Sequence, residues 1–80
     1  MHTYSIENVI VKTENATTSY MHRIRPETLH RSRRGRYYIE YTAAPAHAEW
    51  ISPEAAVRWL LLNEYEVPRE LAEAAARVTE

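Results

Sequence analysis

The chain has 80 residues, of which 45% are apolar and 26% are charged, and its formal net charge is −1. A chain of this length forms one domain, residues 1–80, that buries only about 60% of the surface its unfolded form exposes, which excludes a cleft between two domains. The absence of cysteine and the presence of a single glycine exclude disulfides, thiolate metal sites and a glycine-rich phosphate loop.

The first half of the chain favours β-strands, because β-branched and aromatic residues occur in short runs bounded by turn-forming residues. Residues 4–12 form the first predicted strand. The polar stretch 14–19 is expected to be a turn or short loop. Residues 20–25 form a second predicted strand, which ends before Pro26.

A hairpin is predicted over residues 28–42, with a three-residue loop that ends at Gly35 in the left-handed conformation. This loop length places Leu29 opposite Ile39. A two-residue loop would instead place Leu29 against Glu40 and lose an apolar cross-strand pair. The three-residue loop is therefore the predicted one.

The second half of the chain has helical periodicity. Ser52 fits the N-cap of a first helix, Pro53 its first position, and Glu54 the positive end of its dipole. The preceding stretch 43–50 is predicted to be a linker. The apolar residues of this helix form a broad arc that should lie across the sheet; they are Ala55, Ala56, Trp59, Leu60 and Leu62.

Pro68 interrupts the helical pattern, so residues 64–67 are a predicted linker and a second helix runs from Pro68 to about Val78. The apolar side of that helix consists of Val67, Leu71, Ala74, Ala75 and Val78. The chain is therefore predicted to be an α+β domain. A small antiparallel sheet of about three strands within residues 1–42 is covered on one face by two C-terminal helices within residues 52–78.

Charge is divided between the two halves. Residues 1–43 contain seven basic residues and four glutamates, a net +3, whereas residues 44–80 contain three arginines and seven glutamates, a net −4. This division is either ordinary scatter of solvated charge or a surface with one basic and one acidic patch. The acidic set is the candidate partner-binding site and consists of Glu64, Tyr65, Glu66, Glu70 and Glu73.

An arginine-rich hairpin tip is the alternative site. Guanidinium groups pair with phosphates and tyrosine rings stack on bases, so this composition suits an RNA- or DNA-binding ribbon. It equally suits a solubilising tip on an exposed sheet edge. The candidate nucleic-acid-binding residues are Arg31, Arg33, Arg34, Arg36 and Tyr38.

No catalytic or metal site is predicted. The four histidines lack metal-ligand spacing, and no serine or threonine lies beside a recognisable base and carboxylate. We therefore expect no cofactor and no enzymatic activity. No apolar run is long enough to span a membrane, and the start of the chain lacks a secretory signal, so we expect a cytoplasmic protein without a membrane partner.

The hairpin HRSRRGRYYIEY followed by EWISPEAAVRWLLLNEYEVPREL resembles a group of small bacterial proteins carried by phages, prophages and plasmids. The resemblance covers residues 29–71. In that group a basic glycine turn leads into an aromatic strand, and a serine-started helix, here WISPEAAVRWLLLN, ends before a proline. The matching positions are Gly35, Ser52, Trp59, Leu60, Leu61, Asn63 and Pro68. Glu64 departs from the pattern, because glycine is expected where the helix ends.

The chain also resembles type I anti-CRISPR proteins in its small size and in its lack of cysteine and catalytic residues. The resemblance implies a phage-derived, non-enzymatic inhibitor that covers the DNA-binding surface of a host CRISPR effector complex. Its acidic surface would then meet the basic groove of the effector. Because the chain is nearly neutral, only a one-sided acidic patch could serve. Direct RNA or DNA binding by the arginine hairpin is the alternative function, and the oligomeric state is left open.

Overall fold

A computed structural model describes residues 16–78 of the chain, and the strand predicted at residues 4–12 lies outside this range. Within it, four antiparallel strands form one sheet in the order β1-β2-β3-β4. Two helices pack on one face of this sheet, which confirms the α+β class, with four strands rather than about three. The elements are β1 (Ala16–Met21), β2 (Glu27–Ser32), β3 (Tyr37–Tyr41), β4 (His47–Ile51), α1 (Pro53–Leu62), a 3₁₀ turn (Arg69–Leu71) and α2 (Ala72–Val78).

Two of the strands occupy segments that were predicted to be loops. β1 takes in residues 16–19, and the strand predicted at 20–25 ends at Met21. β4 (His47–Ile51) replaces the second half of the linker predicted at 43–50. The side chains of β1 are mostly exposed, so this strand has no apolar alternation to reveal it. A hydrogen-bonded ladder joins β1 to β2, and another joins β4 to β3.

The hairpin between β2 and β3 has the predicted register and loop. Leu29 pairs with Ile39, and Gly35 has a φ of 83°. The Ser32 amide donates to the Arg36 carbonyl at 2.8 Å, and the Ser32 hydroxyl accepts from the Arg36 amide at 3.1 Å. The tip is therefore closed by a fully buried serine as well as by the glycine.

The core lies between the sheet and the helices. Its buried members are Leu29, Tyr37, Ile39, Ala56, Val57, Trp59, Leu60, Leu71 and Ala74. The predicted apolar arc of α1 is wrong at one position, because Leu62 is 71% exposed while Val57 is fully buried. Leu62 follows the buried Leu60 by two residues and so lies on nearly the opposite side of the helix.

The start of α1 and the apolar face of α2 agree with the predictions. The Ser52 hydroxyl accepts a hydrogen bond from the Ala55 amide at 3.1 Å, and Pro53 begins the helix. On the second helical segment, Leu71 and Ala74 are buried against the core. Local capping chemistry therefore sets where α1 begins.

The end of α1 forms a Schellman motif. The Tyr65 amide donates to the Leu60 carbonyl at 2.9 Å, and the Glu64 amide donates to the Leu61 carbonyl at 3.0 Å. Glu64 has a φ of 63°, the left-handed conformation that glycine adopts most readily. The helix thus ends at the position where glycine was expected, with glutamate in its place.

The turn that follows β1 is tied to the end of α1 by Asn63, which is 1% exposed. The Arg23 amide donates to Asn63 Oδ1 at 2.9 Å, and Arg23 Nε donates to the Asn63 carbonyl at 2.8 Å. Asn63 Nδ2 donates in turn to the Trp59 carbonyl at 2.9 Å. The Tyr65 hydroxyl adds a bond to the Met21 carbonyl at 2.7 Å. These contacts form what we call the turn–helix joint.

Candidate partner-binding site

Glu70, on the 3₁₀ turn, lies against the arginine hairpin. Its carboxylate accepts a hydrogen bond from Arg31 Nε at 2.6 Å and another from the Tyr37 hydroxyl. The bond from Arg31 holds the pKa of Glu70 below its usual value. Burial, followed by the bond to Glu70, raises the pKa of Tyr37. Glu70 is therefore an ionised carboxylate that already has partners within the chain.

The two charged halves of the sequence meet in the fold. The Arg31–Glu70 pair joins the basic hairpin to the helical half. Arg23 and Glu64 make a second such pair at 3.5 Å. Of the two interpretations of the charge division, a separate acidic patch does not fit Glu64 and Glu70, since each is paired with an arginine of the first half. Packing of the helical layer on the sheet brings residues about 40 positions apart into contact. Such pairing cannot be seen when charges are counted along the sequence.

Glu66 and Glu73 differ from these two glutamates. Both are exposed, and neither makes a side-chain hydrogen bond or ion pair with another residue in the range 16–78. Tyr65, by contrast, donates its hydroxyl to Met21 and packs its ring edge-on against Tyr20, with 5.1 Å between centroids. The predicted acidic set thus contains two carboxylates with unshared charge and one tyrosine with a structural role.

A groove of about 550 Å³ lies between the hairpin, β4 and the helical layer. Its lining residues are Gly35, Arg36, Tyr37, Trp50, Ile51, Pro53, Glu70, Leu71, Glu73, Ala74 and Arg77. Apolar side chains make up most of the surface. Of the charged groups, Glu70 is held by Arg31, and Arg77 donates to Glu54 at 2.6 Å, whereas Glu73 has no such partner. A concave apolar surface with a few charged groups is typical of a binding site.

A second depression, of about 590 Å³, has a more polar lining formed by Tyr20, Tyr65, Glu66, Val67, Pro68 and Arg69. The predicted acidic set is therefore divided. Glu70 and Glu73 line the groove, Tyr65 and Glu66 line the second depression, and Glu64 lines neither. The two unshared carboxylates flank the 3₁₀ turn in sequence.

The hairpin arginines have different surroundings. Arg31 is held in the ion pair described above. The guanidinium of Arg36 stacks on Trp50 at 4.1 Å from the ring centroid, a cation–π contact. Arg33 and Arg34 are exposed, and their side chains make no hydrogen bond or ion pair with another described residue. Two of the four predicted arginines are therefore open to a phosphate.

Tyr38 is wrong as a nucleic-acid-binding candidate. It is 6% exposed, stacks on His30 at 4.8 Å and meets Trp50 edge-on at 5.4 Å. A ring enclosed in this way cannot stack on a base. Tyr38 and the buried Ala48 belong to a small cluster on the sheet face opposite the main core. Tyr37, on the core side, is 3% exposed. Neither of the first two tyrosines of β3 can therefore contact a nucleic acid or a protein partner with its ring.

Three strands bring together a serine, a histidine and a glutamate, which corrects the expectation that no serine has such neighbours. Ser19 Oγ lies 2.7 Å from His30 Nδ1, and His30 Nε2 lies 2.9 Å from Glu40 Oε1. These three residues were not predicted to meet, because Ser19 was placed in a loop and lies instead in β1. None of the three residues lines either cavity. We therefore assign these Ser19–His30–Glu40 hydrogen bonds a structural role, which is to join β1, β2 and β3.

Comparison of the chain with models of protein families, with curated proteins and with solved structures found no match. Among residues 16–78, no helix has the length and apolar character needed to cross a membrane. In the same range, histidine and acidic side chains form no group of three that could hold a metal ion. The function is therefore inferred from the geometry of the groove and the hairpin.

Proposed function

We propose that the chain is a stoichiometric, non-enzymatic binding protein whose groove docks on a basic surface of a host protein complex. The observation that best supports this is the unshared carboxylate of Glu73 at an apolar groove. Burial of apolar side chains in such a groove supplies affinity, and a charge at its rim supplies orientation and a faster association rate.

A basic surface is typical of proteins that handle nucleic acid. The proposed partner is accordingly a cytoplasmic complex of that kind, and in particular a type I CRISPR effector whose DNA-binding surface a phage-derived inhibitor would cover. Glu66, which lines the second depression, is the other unshared carboxylate that basic residues of this partner would contact.

Glu64 and Glu70 play a different part in the proposal. The carboxylate of Glu70 is engaged by Arg31 and Tyr37, so a lysine there would break two internal contacts and repel the arginine. Charge reversal at this position tests folding rather than binding. Glu66 and Glu73 are the informative positions, because neither carboxylate has a hydrogen bond or ion pair to lose within residues 16–78.

The test is phage plating on hosts that carry different CRISPR types and express the protein. The wild-type chain should restore plaques on a type I host, and the double variant Glu66→Lys, Glu73→Lys should not. Glu49→Lys is the matched control, since Glu49 is an exposed glutamate on β4 that lines neither cavity. Unchanged protection in every CRISPR type would rule out the effector as the partner.

Direct binding of RNA or DNA is the second candidate, and the exposure of Arg33 and Arg34 supports it. Fluorescence anisotropy with a labelled single-stranded oligonucleotide tests it. Two phosphate contacts predict a log–log salt slope of about −1.4, and Arg33→Glu with Arg34→Glu should abolish binding. The same pair of substitutions should leave a protein partner's contact with Glu73 intact, so the two candidates give opposite results.

A further inference from the structure

His22 closes the turn that follows β1 by accepting two hydrogen bonds with its ring. Its Nδ1 atom accepts from the Ile24 amide at 3.1 Å and from the Arg25 amide at 3.0 Å. Because a main-chain amide only donates, Nδ1 must present a lone pair, and the ring proton must lie on Nε2. The backbone of the turn therefore requires a neutral His22 ring in one tautomer.

The other two histidines of residues 16–78 use Nδ1 differently. Nδ1 of His47 lies 3.0 Å from the carbonyl oxygen of Pro45, which only accepts, so this nitrogen donates. Nδ1 of His30 lies 2.7 Å from the hydroxyl of Ser19, which can donate or accept. Both bonds survive when the ring gains a second proton. In this part of the chain, His22 is thus the histidine whose protonation must break hydrogen bonds.

The turn that His22 closes forms one side of the turn–helix joint. The Arg23 amide, which lies between His22 and Ile24 in the sequence, donates to Oδ1 of the buried Asn63 at 2.9 Å. The His22 ring itself packs edge-on against Trp59, with 5.5 Å between centroids. A proton on Nδ1 would face two amide hydrogens and remove both bonds. Their loss would free the backbone that presents the Arg23 amide to Asn63.

The charged groups around His22 are arranged in opposite pairs. On the turn, Arg23 lies 3.5 Å from Glu64 at the end of α1, and Arg25 lies 3.9 Å from Glu27 of β2. Because each pair has no net charge, the fields of its members largely cancel at the His22 ring. The cost of a proton on Nδ1 therefore comes mainly from the two lost amide bonds.

We propose that His22 is a pH-sensitive switch of the turn–helix joint. The neutral ring holds the turn closed, whereas a ring protonated on Nδ1 opens it and leaves the main core, which includes neither His22 nor Arg23, folded. The open turn binds one more proton than the closed turn, so acid favours the open turn. Histidine changes charge between about pH 5 and pH 8. The groove has no lining residue in this turn, so the switch and the proposed function can fail separately.

Amide hydrogen exchange of the full chain, measured by NMR between about pH 5 and pH 8, tests the proposal. Protection factors, which correct for the intrinsic effect of pH on exchange, should fall about tenfold at the amides of Arg23, Ile24 and Arg25 as the pH is lowered. The amides of β3 should keep their protection. At the upper end of this range, the ring nitrogen shifts of His22 should show a proton on Nε2 and none on Nδ1.

His22→Asn separates the hydrogen bonds from the titration. The Oδ1 atom of asparagine is attached to Cγ as Nδ1 is, accepts main-chain amides in Asx turns and does not titrate, so this variant should keep the same protection at every pH. His47→Asn is the matched control, and the fall in protection should persist in it, because the His47 ring donates to Pro45. A proton on Nδ1 of His22 near neutral pH, protection that is independent of pH in the wild type, or an equal fall in His22→Asn would overturn the proposal.

Discussion

The backbone at Glu64 offers the sharpest test of how α1 ends. Its φ of 63° costs a residue with a Cβ atom about 1–2 kcal/mol relative to glycine. Glu64→Gly removes that cost, but two effects oppose the gain. Glycine adds about 0.5–1 kcal/mol of chain entropy to be lost on folding. The exposed ion pair with Arg23, worth about 0–1 kcal/mol, is also lost.

Glu64→Ala separates the ion pair from the backbone effect, because it removes the carboxylate and keeps the strained φ. Glu64→Gly should therefore be the more stable of the two variants by about 0.5–1 kcal/mol. A domain of this size shifts its melting temperature by about 4–8 °C per kcal/mol. The two variants should thus differ by about 2–8 °C in thermal unfolding followed by circular dichroism.

Glu64→Asn provides an internal check, since asparagine enters the left-handed region more readily than alanine does. Its melting temperature should fall between those of the other two variants. If Glu64→Ala melted at or above the temperature of Glu64→Gly, the left-handed conformation would not limit stability at this position, and the account of the helix end given above would be refuted.

Three further predictions concern single residues. Gly35→Ala should cost about 0.5–1 kcal/mol in urea unfolding, because backbone strain of about 1–2 kcal/mol exceeds the roughly 0.5–1 kcal/mol of chain entropy that alanine removes. The added Cβ would meet Arg31 only at an ordinary 3.5 Å, and an unchanged midpoint would contradict the prediction. Asn63→Ala should cost about 2 kcal/mol, since the Arg23 amide loses its acceptor, and hydrogen exchange at that amide should accelerate; slow exchange would show another acceptor. The pKa of Glu70 is lowered in the folded chain, so the unfolded chain takes up a proton first as the pH falls. The ionised carboxylate therefore stabilises the fold above its ordinary pKa of about 4.3. This contribution is lost as the pH falls through the lowered pKa. Glu70→Gln should therefore lose less stability than the wild type between about pH 6 and pH 3, and an equal loss would count against the ion pair.

The features that the sequence predicted correctly are those with local causes. The hairpin follows from Gly35 and from the pairing of Leu29 with Ile39, and the start of α1 follows from Ser52. Residues 16–19 of β1 and the whole of β4 were missed, because main-chain bonds to a neighbouring strand stabilise them and leave little trace in the side-chain pattern. The Ala48 and Trp50 alternation in β4 was the one available signal, and it was masked by the flanking alanines and Pro45.

The candidate site was predicted less well for a related reason. Glu70 was correctly placed among the acidic residues near the second helix, but its bond to Arg31 spans 39 positions and depends on how the helical layer sits on the sheet. Tyr38 was a candidate because a tyrosine beside the arginine hairpin could stack on a base, which requires that the face of β3 opposite the main core be open to solvent. Here that face has a cluster of its own, so alternation along β3 did not indicate exposure.

The arginine–glutamate pairs that cross between the two halves neutralise each other. Among residues 16–78, the charged side chains without an ion pair or side-chain hydrogen bond are the cations Arg33, Arg34, Arg58 and Arg69 and the anions Glu66 and Glu73. The hairpin tip and Glu73 are not independent, because the hairpin supplies one wall of the groove that Glu73 borders. A partner that is basic throughout would meet Glu73 favourably and the hairpin tip unfavourably. The surface that fits the groove therefore has a cation beside an apolar side chain, opposite Glu73, and a neutral region facing the tip.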